Sequence, residues 1–276
     1  MPDQVKGRVL IVAGSDSGGG AGIQADLKTF GALGVYGASV ITALTAQNTR
    51  GVTGIHDVPA DFIAAQLDAV FTDLDVGAVK IGMLSQVPAI AAVAAGLARH
   101  DAQNVVLDPV MVATSGDRLL AVEAIAALCR DLIPRALIVT PNLHEAAALT
   151  DASLAKTEAE MEAQARQILA LGPRYVLIKG GHGPEFGDSA DSVDLLVGAN
   201  EVVRLAARRI ATRNTHGTGC TLSSAIAAGL AKGLDLVTAT REAKAYVTAA
   251  IKAADQLTVG HGHGPLNHFH QFWRRA

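Results

Sequence analysis

Residues 214 to 224 read Asn-Thr-His-Gly-Thr-Gly-Cys-Thr-Leu-Ser-Ser, which places two glycines and a cysteine where an irregular loop gives way to a helical run. The first turn of a helix has N–H groups with no intrahelical acceptor, and the peptide dipoles add partial positive charge there. Gly217 and Gly219 let a ligand approach the backbone, so Gly217, Thr218, Gly219 and Cys220 could aim several N–H groups at a phosphate. Cys220 would share that field, and the position predicts a lowered pKa and a thiolate able to act as base or nucleophile near neutral pH. Taken alone, such a Gly-x-Gly is better explained as a helix that starts on glycines and packs a small cysteine.

Other polar groups stand at the ends of short apolar runs. Gly14-Ser-Asp-Ser-Gly-Gly-Gly-Ala-Gly22 follows the run 9–13. It is not a Walker A loop, which needs Lys where Gly20 follows Gly19, nor a dinucleotide fingerprint, which would need glycine where Ile23 stands. A substrate loop and a plain glycine-rich turn fit it about equally. Asp108 ends Val-Val-Leu-Asp. Thr140-Pro-Asn-Leu-His-Glu145 predicts a helix capped by Thr140 with Pro141 first, which puts Asn142 and Glu145 three apart on one face. Asp108, Asn142 and Glu145 could converge on Mg²⁺ through water, the usual way magnesium is held beside nucleotide phosphates. Lys179 closes Tyr-Val-Leu-Ile-Lys before two glycines, within reach of phosphate oxygens as a point charge. For Glu145 alone, a solvated helix position explains the residue as well.

The elements that must position these groups follow from the alternation of short β-branched runs with segments of helical period, the pattern of a parallel sheet covered by helices. Strands are expected at 9–13, 39–44, 78–81, 105–107, 137–139 and 175–179, and helices at 24–33, 59–71, 88–100, 123–132 and 158–171. Thr157 and Glu160 form a capping-box signature for the last of these. A polar stretch at 180–192, a hairpin at 193–197 and 202–205, and two alanine-rich helices at 218–232 and 237–257 complete the chain, read as one domain over 1–276. With 23 Lys+Arg against 26 Asp+Glu and no basic run, a nucleic acid partner is not expected. Cys129 and Cys220 make no disulfide framework, and no signal-peptide layout or membrane-length apolar run is read, so a cytoplasmic protein is expected. The histidines of Gly260-His-Gly-His-Gly-Pro-Leu-Asn-His-Phe-His270 lack a ligand framework and read as structural or interface residues.

Six segments in order resemble the hydroxymethylpyrimidine/phosphomethylpyrimidine kinases, thiamine-biosynthesis enzymes of the ribokinase-like superfamily. They are residues 13–26, residues 42–52, Lys80-Ile-Gly-Met83, Thr140-Pro-Asn-x-x-Glu145, Lys179-Gly-Gly-His182 and Asn214-Thr-His-Gly-Thr-Gly-Cys-Thr221. The resemblance implies a three-layer α/β/α sandwich with a mostly parallel central sheet. It further implies that ATP, with Mg²⁺, phosphorylates the hydroxymethyl group of 4-amino-5-hydroxymethyl-2-methylpyrimidine and then its monophosphate. On matching positions Gln47 would bond the aminopyrimidine, with Gly14, Ala21, Asp26 and Met83 shaping its pocket. Asp108 and Glu145 would organise the metal, Lys179 and Asn142 would meet ATP, and Gly217, Thr218, Gly219 and Cys220 would form the anion hole. Cys220 stands where many sugar kinases of the superfamily carry an aspartate base; orienting the alcohol, with late proton loss, is its other reading. The resemblance also implies a homodimer. A pyridoxal kinase of the same fold and a non-catalytic nucleotide-binding regulator are the alternatives.

Overall fold

Strand β1 (Arg8–Asp16) is apolar from Val9 to Ala13 because both of its faces are covered there. Val9, Ile11 and Ala13 belong to one buried cluster and Leu10 and Val12 to another, so its period-two alternation divides two cores rather than core from water. The computed structural model describes residues 7–111, 122–180 and 191–273. After β1 the chain runs through α1 (Gly22–Leu33), β2 (Tyr36–Asn48), β3 (Gly51–Asp57), α2 (Ala60–Phe71), β4 (Ala78–Ile81), α3 (Val87–Arg99) and β5 (Val105–Leu107). It continues through α4 (Val122–Ala127), β6 (Ile138–Val139), α5 (Leu143–Thr150), α6 (Glu158–Leu169) and β7 (Tyr175–Lys179). It closes with β8 (Asp191–Gly198), β9 (Val202–Arg208), α7 (Thr218–Ala231) and α8 (Leu236–Lys252).

Among the described residues, nine strands lie in the order β3-β2-β1-β4-β5-β6-β7-β8-β9. From β2 to β7 all neighbours are parallel, while β3 pairs antiparallel at one end and β8 and β9 at the other. Ile23 and Phe30 of α1, Ile226 of α7 and Tyr246 of α8 cover one face. Ile63 and Leu67 of α2 and Ile90 and Val93 of α3 cover the other. Met161, Ala165 and Ile168 of α6 extend that second layer over Val176 and Ile178 of β7. The result is the expected three-layer α/β/α arrangement, with the carboxyl ends of all parallel strands at one edge, where open α/β sheets bind ligands.

Local signals account for most element boundaries. The Thr157–Glu160 capping box forms in both directions, and α6 begins where it predicts. The helix expected at 123–132 instead tightens into a π turn at Leu128–Leu132 and a 3₁₀ turn at Ile133–Arg135, and Pro134 lacks the N–H that a continuing helix would need. The second helix of the alanine-rich pair stops at Lys252. Strand β3 was not expected, because most of it is exposed and it presents no apolar run to read. Within the polar stretch at 180–192, positions 181–190, including His182, lie outside the described residues. Among the described residues no helix is long and apolar enough to cross a membrane.

Candidate active site

Helix α7 begins where the sequence analysis places its anion cradle. Gly217 is the N-cap with φ 86°, a left-handed conformation, and a side chain there would collide with the Gly20 carbonyl. No side chain caps the turn. The Thr218 N–H is engaged by the Thr215 carbonyl at 3.2 Å and its hydroxyl by the same oxygen at 2.7 Å, so Thr218 tightens the loop instead of offering the donor expected of it. Thr221 ties the turn down from behind, donating to the Gly217 carbonyl at 2.8 Å and lying 3.0 Å from His268 Nε2.

The surroundings of Cys220 weigh against the expected neutral-pH thiolate. Burial pushes the Cys220 thiol up to about 11, and the carboxylates of Asp26 and Asp108 add to that, while the Lys80 ammonium and the Gly22 N–H oppose it. Burial at the third position of this helix thus favours the protonated thiol over the thiolate that the helix start alone would predict. Beneath it lies a buried ion pair. Lys80 Nζ, from the middle of β4, donates to both carboxylate oxygens of Asp26 of α1, at 2.9 and 2.8 Å, and both side chains are 0% exposed. Ser224, one turn beyond Cys220, donates to Asp26 Oδ1 at 2.7 Å. Burial raises the Asp26 carboxyl, and Lys80 and Ser224 pull it back; three donors on one carboxylate argue for its ionised form. Asp26 thus corrects a second expectation: it underpins the helix start and does not lie on a pocket wall.

On one flank of this turn, Lys179 Nζ donates to Asp108 Oδ1 at 2.7 Å and lies 3.8 Å from Glu145 Oε2. An added Cβ at Gly219 would stand 3.2 Å from Lys179 Nζ and 3.4 Å from Asp108 Oδ2, so the cradle and the charged cluster abut. Thr140 does not cap α5; its hydroxyl donates to Asp108 Oδ1 at 3.1 Å. The N-cap is Asn142, whose Oδ1 accepts the Glu145 N–H at 2.9 Å while Glu145 Oε2 accepts the Asn142 N–H at 2.7 Å. Pro141 precedes the helix because Asn142 offers this reciprocal box and Thr140 does not. Burial pushes the Glu145 carboxyl up to about 7, against the pull of Lys179. Among the described residues no three His, Cys, Asp or Glu side chains cluster as a metal site. Two carboxylates beside a lysine suit a magnesium ion that arrives on nucleotide phosphates rather than a cage of protein ligands.

On the other flank the glycine-rich loop wraps around Asp16. Its Oδ1 accepts the Gly18 N–H at 2.8 Å, and Oδ2 accepts those of Gly20 at 3.0 Å and Ala21 at 2.9 Å. His216 Nε2, from the loop before α7, lies 2.9 Å from the same Oδ2. Burial alone would raise the Asp16 carboxyl, but these hydrogen bonds hold it below the usual carboxylate range. The side-chain amide of Gln47, near the end of β2, lies 3.3 Å from His216 Nε2. Gly14 and Met83 meet, since an added Cβ at Gly14 would come 2.7 Å from Met83 Cε, and Ala21 caps α1. The structure therefore gathers Gly14, Ala21, Gln47 and Met83 on one side of the cradle and Asp108, Asn142, Glu145 and Lys179 on the other.

A model of the phosphomethylpyrimidine kinase family matches residues 16–267. The chain belongs to this family. It is 61% identical over 265 residues to the hydroxymethylpyrimidine/phosphomethylpyrimidine kinase of Rhizobium meliloti, covering 96% of this chain and 98% of that one. The solved phosphomethylpyrimidine kinase of Clostridium difficile is similar at 44% identity and TM-score 0.78, covering 89% and 99% of the two chains. The Bacillus subtilis pyridoxal kinase, solved with ADP, is similar at 38% identity and TM-score 0.86, covering 95% and 97%. Membership in a kinase family implies use of ATP and action on a small molecule.

Within this phosphomethylpyrimidine kinase fold, three site residues had no role in the sequence reading. Lys80 lies inside a quoted motif, and its signal is a charge within Ala-Val-Lys-Ile, an otherwise apolar four-residue strand, which demands a buried acidic partner. Asp16 is an acid followed by glycines, a pattern that suits a carboxylate gathering backbone N–H groups. His216 carries no local signal, because its partner is 200 residues away.

Proposed function

We propose that this chain phosphorylates the hydroxymethyl group of 4-amino-5-hydroxymethyl-2-methylpyrimidine with ATP, and then the monophosphate, as a single-domain enzyme of thiamine biosynthesis. The observation that carries the reading is the position of the α7 start, pressed between the Gly20 loop on one side and the Lys179–Asp108 cluster on the other. A γ-phosphoryl group held at that cradle has the substrate pocket and the nucleotide cluster as its two neighbours. Gln47 hydrogen-bonds the ring, and Gly14, Ala21 and Met83 form the wall. Lys179 and Asn142 meet ATP phosphates, and Asp108 and Glu145 hold the Mg²⁺ that ATP carries, which balances charge on those phosphates. Backbone N–H groups of Gly217, Gly219 and Cys220 face the transferring oxygens and neutralise charge as it redistributes. A thiol raised to about 11 supports the orienting role for Cys220. A loose transition state asks little of a base, so the alcohol sheds its proton late.

The same reading includes a cytoplasmic homodimer with no nucleic acid partner. A net charge of −3 and exposed apolar Leu44 and Ile55 on the edge hairpin support it. The likeness to a pyridoxal kinase favours a second activity on pyridoxal, also a ring bearing a hydroxymethyl group. Coupled ADP release with the pyrimidine alcohol, its phosphate and pyridoxal, each with and without Mg²⁺, tests both. ADP release above background with the two pyrimidines is expected. Turnover of pyridoxal alone would reject the main reading.

A further inference from the structure

Among the described residues, His216 Nε2 lies close to two polar groups, the Asp16 carboxylate and the Gln47 amide, and their chemistry constrains where its proton goes. Asp16 accepts three backbone N–H bonds and lies 2.9 Å from His216 Nε2. A carboxylate held below its usual range is an acceptor only, so Nε2 carries the proton and gives it to Asp16. The end of the Gln47 side-chain amide that lies 3.3 Å from this Nε2 therefore faces an N–H group, and a carbonyl oxygen fits there while an NH₂ group does not. The other end is compatible with this. The Thr45 hydroxyl lies 2.9 Å from the Ser15 carbonyl and 3.1 Å from the Gln47 amide, so with its proton on Ser15 it can accept from an NH₂ group turned toward it. The structure places Gln47 Nε2 toward His216 and Oε1 toward Thr45, but amide oxygen and nitrogen are told apart by their partners, and the Nε2–H of His216 calls for the amide turned over, with its carbonyl toward His216 and its NH₂ toward Thr45.

We infer that His216 is a positioning residue for substrate selection: by giving its Nε2 proton to Asp16 it locks the Gln47 amide one way round, and so fixes which ring edge Gln47 can read. Locked in this way, Gln47 retains one carbonyl lone pair and one N–H, side by side and in a set order. That pair complements an edge with an exocyclic amine beside a ring nitrogen, and it is mismatched to a ring edge that presents oxygen acceptors alone. Thr45 holds the opposite end. His216 also belongs to the loop that leads into α7, and its N–H donates to the Gly264 carbonyl at 3.1 Å, so the residue that sets Gln47 is anchored to the phosphoryl cradle and not to the pocket alone.

The inference rests on the aminopyrimidine reading of the site, and the test separates the two. The readout is the ratio of kcat/KM for the aminopyrimidine alcohol to kcat/KM for pyridoxal. Failure of the wild-type enzyme to turn over the aminopyrimidine rejects the functional reading. Given that turnover, His216→Leu is expected to lower the ratio about tenfold, His216→Gln, which returns a donor, to restore most of it, and His216→Leu on a Gln47→Leu background to change it no further. Thr45→Val, a near-isosteric change at the other end of the amide, is expected to lower the ratio as well. It decides the matter if His216→Leu does not fold. Equal losses on both substrates in these variants, an undiminished shift when Gln47 is already leucine, or a wild-type ratio in folded Thr45→Val would each overturn the inference.

Discussion

Replacing Lys80 by methionine keeps the length of its stem, removes the charge, and leaves the Asp26 carboxylate in a site where both partners are 0% exposed. Removing one member of such a pair costs about 3–5 kcal/mol, because the remaining charge loses its partner but not its burial. Ser224 still donates one bond to Asp26, which favours the lower half of that range. For a chain of this size each kcal/mol corresponds to about 2–4 °C, so Lys80→Met should melt roughly 6–16 °C below wild type. Asp26→Asn in the same chain removes the orphaned charge, and the double variant should recover most of the loss, since an amide can still accept from Ser224. The sign with pH follows from Lys80, whose folded pKa is raised above its ordinary 10.5 by Asp26, Cys220 and Asp108 against the effect of burial. Its contribution is fully present below the unfolded value and is lost as pH rises through the folded one, so the penalty should be constant from pH 6 to 9 and shrink above about pH 10. Thermal and urea melts followed by circular dichroism measure all of this. A single variant within about 1 kcal/mol of wild type, or a double variant no more stable than the single, would refute the buried-charge argument.

Four further outcomes are expected. In a Cys129→Ala background, iodoacetamide should alkylate Cys220 at pH 8 about a hundredfold more slowly than a free thiol, because a thiol near 11 is so rarely ionised there, whereas a rate like that of free cysteine would restore the neutral thiolate. Cys220→Ala should lose roughly a hundredfold in kcat and Cys220→Ser about tenfold, since a hydroxyl can still orient the alcohol; equal losses would make the sulfur a true base. Asn142→Ala or Glu145→Ala should raise the Mg²⁺ concentration that gives half-maximal ADP release, and an unchanged dependence would move the metal elsewhere. Asp16 is held below its ordinary range, so it stabilises the fold above its unfolded pKa and that gain is lost as pH falls through the folded one. Asp16→Asn should therefore flatten the acid limb of the stability curve below about pH 4, and an unaltered limb would count against the loop's carboxylate anchor.

How far the sequence could carry this site depended on the reach of each interaction. Thr157 and Glu160 are three residues apart, and their box was readable because both partners lie within one helical turn. Asn142 and Glu145 make the same box, yet the adjoining Thr140-Pro141 pair offered an equally regular start, and only the call of Asp108 on the Thr140 hydroxyl decides between them. Strand ends were readable from their apolar runs, so Asp108 and Lys179 were placed at one edge correctly, but nothing local showed that they bond each other across 71 residues. The surroundings of the Cys220 thiol were not legible for the same reason. The helix start that would lower its pKa is a local fact, whereas the burial that raises it, with the Asp26 and Asp108 carboxylates from α1 and the end of β5, is set by the fold. Electrostatics at this site is therefore a property of the sheet's topology: whichever strands the fold brings beside α7 set the charge state, and a motif read along the chain shows only the donors they act on.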